Sequence, residues 1–161
     1  MKRRLVPLVG EDAVASFEPV LGVRLPSDYW AFLPETNGGE PINPVFRFGP
    51  EGIYSDSAVR YFFSITENFT FSLAHKYDIY TRANRVPNEM LPIAADPGGN
   101  LVLLGVKGAD ASKVFFWNHE VEGLVDNPSS KEHLAFLANS FGEFCDQLAP
   151  FTSAWSQRIE C

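Results

Sequence analysis

The sequence predicts an α+β domain: an antiparallel β-sheet with helices packed mainly on one side. Three observations carry that expectation. The chain opens with two apolar patterns at helical spacing. Short runs of β-branched and aromatic residues follow, two of them joined by a proline–glycine turn. A capped apolar stripe then closes the chain as a last helix.

Taking the elements in order, Asp12 is placed to cap a first helix in which Val14, Phe17 and Leu21 recur on one face, and Gly22 ends it. Pro26 begins the next turn. Ser27 is the expected N-cap of a second helix, with Asp28 favourable beside the positive helix end. Tyr29, Phe32 and Leu33 fall on one side of that helix and Trp30 on another. Pro34 removes the amide that would bond back to the Trp30 carbonyl, which predicts only about two turns. Asn37 and Gly38 tolerate left-handed backbone, so "LPETNGG" reads as a tight helix-to-strand corner.

"VFRFG" and "VRYFFSI" then read as strands bounded by Gly, Pro and Ser. Phe69, Leu73, Tyr77 and Tyr80 fall on one face of a third helix opening near Asn68. In "LPIAADPGGNLVLLGV", Asp96-Pro97-Gly98-Gly99 joins two strands, because proline presets the first central turn position and glycine permits positive φ at the next. "KVFFWN" is the next strand. Two capping boxes, Ser129 with Glu132 and Ser140 with Glu143, offer starts for the last helix. The second is preferred, because Phe141, Phe144 and Leu148 follow it as a stripe stopped by Pro150. "LAFLA" is then a short extended or turn segment.

Composition narrows the function classes. With 13 Lys plus Arg against 20 Asp plus Glu, the formal charge is −7, and the acidity is spread along the chain. Lys2, Arg3 and Arg4 lie at the N-terminus, where chains usually fray. Such a balance argues against direct nucleic-acid binding, which needs a basic face. It suits a basic partner protein, or simply an acidic soluble surface. Cys145 and Cys161 give neither a disulfide framework nor metal-ligand spacing, so a reducing cytoplasm is the expected compartment. No segment reads as a signal peptide or membrane span.

Four blocks, "LGVRLPSDYWAFLPETNGGEP", "LPIAADPGGNLVLL", "KVFFWNHE" and "ANSFGEFCDQL", stand in an order and spacing that resembles the SUKH superfamily of SMI/KNR-type domains. The resemblance implies a single SUKH-like domain over 1–161, with its core at about 12–149. Two features depart from it, Pro34 and the aromatic-rich 60–80 region. The resemblance further implies a cytoplasmic bacterial immunity protein, not an enzyme, that silences a cognate toxin by masking its active site. Such toxins are often basic nucleases. The alternative within the family is a regulatory or scaffolding module with a protein or small-ligand client. No cofactor or metal is implied, and no nucleic acid or membrane is an expected partner.

The candidate site residues follow from loops and charge. "WNHE" invites a metal or proton-sharing site of His119 and Glu120 beside Asp96, but one histidine lacks the ligand set of most zinc sites. A structural or partner-contact role for His119 is the expectation. No G-x-S-x-G appears, and "GPEG" and "DPGGN" are turns that do not match a phosphate loop. Trp117 and Trp30 stand inside apolar runs and read as core. "NHEVEGLVDNPSS" puts Glu120, Glu122 and Asp126 in a loop after a strand, where recognition tends to reside. Glu35 and Glu40 flank the Asn-Gly-Gly corner and extend that acidic face if the fold brings them near.

Overall fold

The computed structural model describes residues 2–50 and 52–152; Cys161 lies outside them. Helix α1 spans Glu11–Leu21 and buries Val14, Phe17 and Leu21, ending on a left-handed Gly22. Its cap residue is Gly10, with no side-chain bond, so Asp12 sits inside the first turn rather than before it. Helix α2 spans Ser27–Thr36 and is flanked by Pro26, which places Ser27 at the first helical position. Its ten residues exceed the expected two turns. Pro34 removes one bond near the end, and the turn survives because Asn37 N donates to Leu33 O at 2.8 Å and Thr36 Oγ1 to Phe32 O at 2.9 Å.

The corner after α2 is held from several directions. Asn37 is fully buried at φ 44°, ψ 55°. Its Nδ2 donates to Pro7 O at 2.9 Å and Ile65 O at 3.0 Å, and its Oδ1 accepts from Ile65 N at 2.8 Å. Gly39 then pairs with Phe62 through two backbone bonds of 2.9 and 3.1 Å. The N-terminal segment joins the same corner. Lys2 N donates to Glu40 O at 2.7 Å and Glu40 N to Arg3 O at 2.8 Å, so these first residues are tied down instead of fraying.

Strands β1 (Val45–Phe48) and β2 (Ser55–Ala58) form an antiparallel pair of their own. "VRYFFSI" does not make one strand. The chain leaves β2 at Ala58 and re-enters a sheet as β3, only Tyr61–Phe62. Next comes helix α3 (Leu73–Lys76), continued by a π-helical turn over Tyr77–Arg82. It begins later than the apolar spacing suggests. Asn68 Oδ1 accepts from Thr70 N at 3.1 Å, and Leu73 N donates to Ser64 O at 2.9 Å, so residues 68–72 are committed to a turn and a bridge. Ser72 caps the helix by accepting from His75 N, and Phe69 lies outside, 71% exposed against the His75 ring.

The main sheet is five-stranded and antiparallel, in the order β3-β4-β5-β6-β7. Its new members are β4 (Met90–Ala95), β5 (Leu101–Gly105), β6 (Val114–Trp117) and β7 (Ala135–Ala138), the last formed by "LAFLA". The β4–β5 hairpin turns where Asp96-Pro97-Gly98-Gly99 requires. Pro92 sits inside β4, where it cannot donate. The register shifts beside it, and the bulged Ile93 carbonyl accepts instead from Phe63 N at 2.8 Å. Helix α4 (Phe141–Gln147) starts at the preferred box: Ser140 Oγ accepts from Glu143 N at 3.1 Å. The Glu143 carboxylate reaches back to Asn139 N at 2.6 Å.

Cross-strand pairing assigns the faces. Phe62, Ala94, Val102 and Phe116 share one face through direct pairing. There Phe62 and Phe141 of α4 meet Phe32 of α2, while Phe116 meets Phe46 of β1, which also touches Phe144. Helix α1 packs on α2. Leu101 and Trp117 share the other face, and Tyr80 of the π-helical turn covers Trp117 edge-on at 5.7 Å. With both faces covered, every residue of β4 and β5 is buried. Each large apolar side chain so enclosed contributes about 1.5–3 kcal/mol.

Candidate partner-binding surface

Strand β6 ends on the wholly buried Trp117, so Asn118 is the first residue free to face out. Its Oδ1 accepts from Glu120 N at 2.9 Å and opens a 3₁₀ turn over His119–Leu124. Two side-chain systems hold that turn to the body of the protein.

The first runs through the hairpin. Asp96 is 5% exposed, and its Oδ1 accepts from Gly98 N at 2.9 Å and Asn100 N at 2.8 Å. Its Oδ2 accepts from Ser57 Oγ at 2.8 Å and Asn100 Nδ2 at 2.9 Å. That last bond fixes the Asn100 amide with Oδ1 outward. There it accepts from His119 N at 3.0 Å and meets His119 Nδ1 at 2.7 Å. Facing that oxygen, Nδ1 is the ring nitrogen that carries the proton of this bond. Asn100 therefore stands between Asp96 and His119, and the Asp96 carboxylate is spent on the turn.

The second is Glu122, which accepts from Arg85 Nε at 2.7 Å and Nη2 at 3.0 Å. The Arg85 guanidinium lies 4.5 Å from the Tyr80 ring centroid, and Tyr80 in turn covers Trp117. The far end of the loop is fixed too, because Lys131 Nζ contacts Glu89 at 2.6 Å and Asp110 at 2.9 Å. Between these anchors, Glu120 and Asp126 are exposed and Leu124 is 83% exposed. The arrangement is a pinned acidic turn with an apolar tip. It can grip a partner without first being ordered, which lowers the cost of binding. Among the described residues, no group of three or more His, Cys, Asp and Glu converges as a metal ion would require.

The model of the SMI1 / KNR4 family (SUKH-1) matches residues 8–147. The chain belongs to that family. It is also similar to the SPbeta prophage-derived uncharacterized protein YokK of Bacillus subtilis, at 28% identity over 83% of this chain and 71% of that one.

Within this SUKH-1 chain the six sequence-derived residues divide into two places. His119, Glu120, Glu122 and Asp126 share the pinned loop, with Glu122 already bonded to Arg85. Glu35 and Glu40 lie at the corner that pairs with β3, and three strand spacings, about 14 Å, separate β3 from β6. Glu40 pairs with Arg3 at 2.8 Å, while Glu35 is exposed on the last turn of α2. The fold does not merge the two groups into one face. Leu124 was legible as an apolar residue inside an acidic loop, yet charge alone drew attention there. Trp117 and Trp30 both pack into the core, as their apolar surroundings imply. Burial, followed by the charges of Asp146 and Asp28, pushes the Cys145 thiol up to about 12, so it is not a nucleophile at neutral pH. Among the described residues no helix is long and apolar enough to cross a membrane.

The Arg85 pair makes a pH prediction. Hydrogen bonds from Arg85 hold the Glu122 carboxyl below its ordinary value of 4.5. A depressed folded-state value contributes stability that is present above the unfolded value and lost as pH falls through the folded one. With Arg85 40% exposed, screening limits the contribution to about 0.5 kcal/mol. Glu122→Gln is expected to be less stable at neutral pH and to lose less between roughly pH 5 and pH 3. Urea titrations across that range measure it, and parallel curves for the two proteins would refute it.

Proposed function

We propose that this SUKH-1 domain is a non-enzymatic, cytoplasmic bacterial immunity protein that binds a cognate toxin and masks its active site. The observation that carries the reading is the pinned acidic turn, with Leu124 exposed between Glu120 and Asp126. A basic toxin, such as a nuclease, has a positive groove for phosphates, and carboxylates on a rigid turn compete for it. An exposed leucine at the centre supplies apolar contact, and an overall charge of −7 speeds encounter.

The test is charge reversal with the internal pair left intact. Glu120→Lys/Asp126→Lys is expected to raise the toxin Kd by about 100-fold at low salt, the effect of two reversed interfacial charges. The melting temperature should stay within about 2 °C, because both residues are exposed and outside the anchors. The toxin is obtained by capturing the tagged protein from its own cells, with washes at low and then high salt. Unchanged affinity at low salt would remove the loop from the interface. Recovery of housekeeping partners alone would favour a regulatory module.

A further inference from the structure

Two clefts adjoin where the acidic loop comes down toward the β1–β2 turn. One, of about 440 Å³, lies between Gly49 and Pro50 of that turn and residues 132–136. The other, of about 520 Å³, is lined by Leu124, Asp126 and Ser130. Both fall in the size range of binding clefts, roughly 300–1,000 Å³, and they share Glu132 and His133. The rim is apolar. Leu124 is 83% exposed and Phe136 51%, while Ile53, 77% exposed, is held in the turn by its amide donating to Pro50 O at 3.0 Å. The charges inside are unspent. Lys131 is taken up by Glu89 and Asp110, and Arg85 by Glu122, whereas Asp126 and Glu132 are exposed and make no ion pair among the described residues. In the wall that the clefts share, both His133 ring nitrogens are buried and, among the described residues, have no hydrogen-bond partner. One nitrogen of a neutral imidazole is an acceptor, and an acceptor left unpaired in the interior costs stability.

We infer that the joined clefts are a socket for one arginine side chain of the partner protein. This deepens the proposed toxin-binding role and rests on it. The unpaired carboxylates of Glu132 and Asp126 accept from the planar guanidinium, whose five N–H groups suit a paired oxygen acceptor. Its apolar stem lies along the rim of Pro50 and Phe136. On entry the His133 ring turns its unpaired acceptor into the cleft it lines and receives a further N–H, so a cost carried by the free protein is relieved in the complex. A lysine ammonium meets the same carboxylates less well, because it is compact, strongly hydrated and without a fork of donors. An arginine anchored inside an apolar rim is also the usual make-up of an interface hot spot.

The probe is N-acetyl-arginine methylamide, with the lysine and citrulline analogues beside it; citrulline keeps the shape and loses the charge. Amide chemical shifts of the full chain, followed by NMR, read both affinity and place. The arginine compound is expected to saturate, moving the amides of Gly49, Ile53 and residues 124–136. The lysine compound should bind more weakly and the citrulline compound not at all. Glu132→Gln, a change at an exposed side chain, should raise the Kd about tenfold, the loss of one charge-assisted hydrogen bond, without altering the melt. His133→Phe should also weaken binding, yet the free protein should melt higher, a combination that a purely structural histidine would not give. No saturable shift, shifts elsewhere, equal binding of the lysine compound, or undiminished binding in both variants overturns the inference. Binding seen only in Arg158→Gln overturns it too, since residue 158 of this chain is then the occupant. Failure of the two readings is separable. Toxin capture that is untouched by Glu132→Gln and His133→Phe sinks the socket alone. Saturable arginine binding in a protein that protects against no toxin sinks the immunity role alone.

Discussion

Gly38→Ala is expected to cost about 4 kcal/mol, from roughly 1–2 for a side chain in left-handed backbone and about 1–3 for overpacking. Gly38 has φ +75°, and a Cβ there would lie 2.5 Å from the Phe63 carbonyl oxygen and 2.6 Å from that of Phe62, as well as against the Ser64 hydroxyl. Two of these neighbours are backbone atoms of the β3 region and cannot rotate away. Phe62 is bonded to Gly39 and Phe63 to Ile93, so any retreat breaks the sheet edge. For a chain of this size the loss corresponds to about 8–16 °C in melting temperature, at some 2–4 °C per kcal/mol. Calorimetry on the purified variant decides it, and a fall of less than about 3 °C would show the corner to be compliant. Asn37→Gly tests the side-chain half of the same corner. It keeps the backbone conformation and removes only the side-chain bonds to Pro7 and Ile65, so it should still destabilise.

That corner shows how far the sequence could be read. Asn37-Gly38 announced a chain reversal, because few residue pairs accept left-handed backbone, and the hairpin at Asp96-Pro97-Gly98 announced itself by turn chemistry. Signals of this kind are local. What closes against the corner is not: Pro7, Ile65 and Phe62 reach Asn37 and Gly39 from distant segments. Strand β2 was invisible for a related reason. Ser-Asp-Ser-Ala has little strand propensity, and pairing with β1 alone makes it a strand. The apolar spacing of Phe69, Leu73, Tyr77 and Tyr80 overextended a helix because periodicity does not register Asn68 and Ser72 diverting the backbone.

The candidate surface was legible as charge and illegible as geometry. "HEVEGLVD" marks an acidic loop, but nothing in the sequence says that Glu122 belongs to Arg85, 37 positions away. A charge reversal chosen from sequence would have included Glu122, set a lysine against Arg85 and loosened the turn from Tyr80. Loss of binding in such a variant would have been misread as a lost contact. The place of "LAFLA" was likewise unreadable, since its pairing with β6 depends on strand order.

Asp96→Asn is expected to damage the surface more than the fold, although Asp96 touches no part of the loop. Asparagine keeps an oxygen for the Gly98 and Asn100 amides, and Ser57 Oγ can turn to accept. Its amide nitrogen, however, faces Asn100 Nδ2, donor against donor. Asn100 must flip, which turns its nitrogen toward His119 N and Nδ1 and removes the acceptor that anchors the 3₁₀ turn. The expected loss is about 1 kcal/mol, because the His119 amide that loses its acceptor is exposed and water can replace it. Faster hydrogen exchange at His119 and a weaker hold on the partner should accompany it. Asp96→Ala strands all four donors at a buried position and should lose about 4 kcal/mol. The decisive variant is the exchange Asp96→Asn/Asn100→Asp. There the residue 96 amide donates to a carboxylate at 100, whose other oxygen again accepts from His119, and the net charge is unchanged. Exchange protection at His119 and partner affinity should return in the double variant. If it behaves no better than Asp96→Asn alone, Asn100 is not the link through which the hairpin positions the acidic turn.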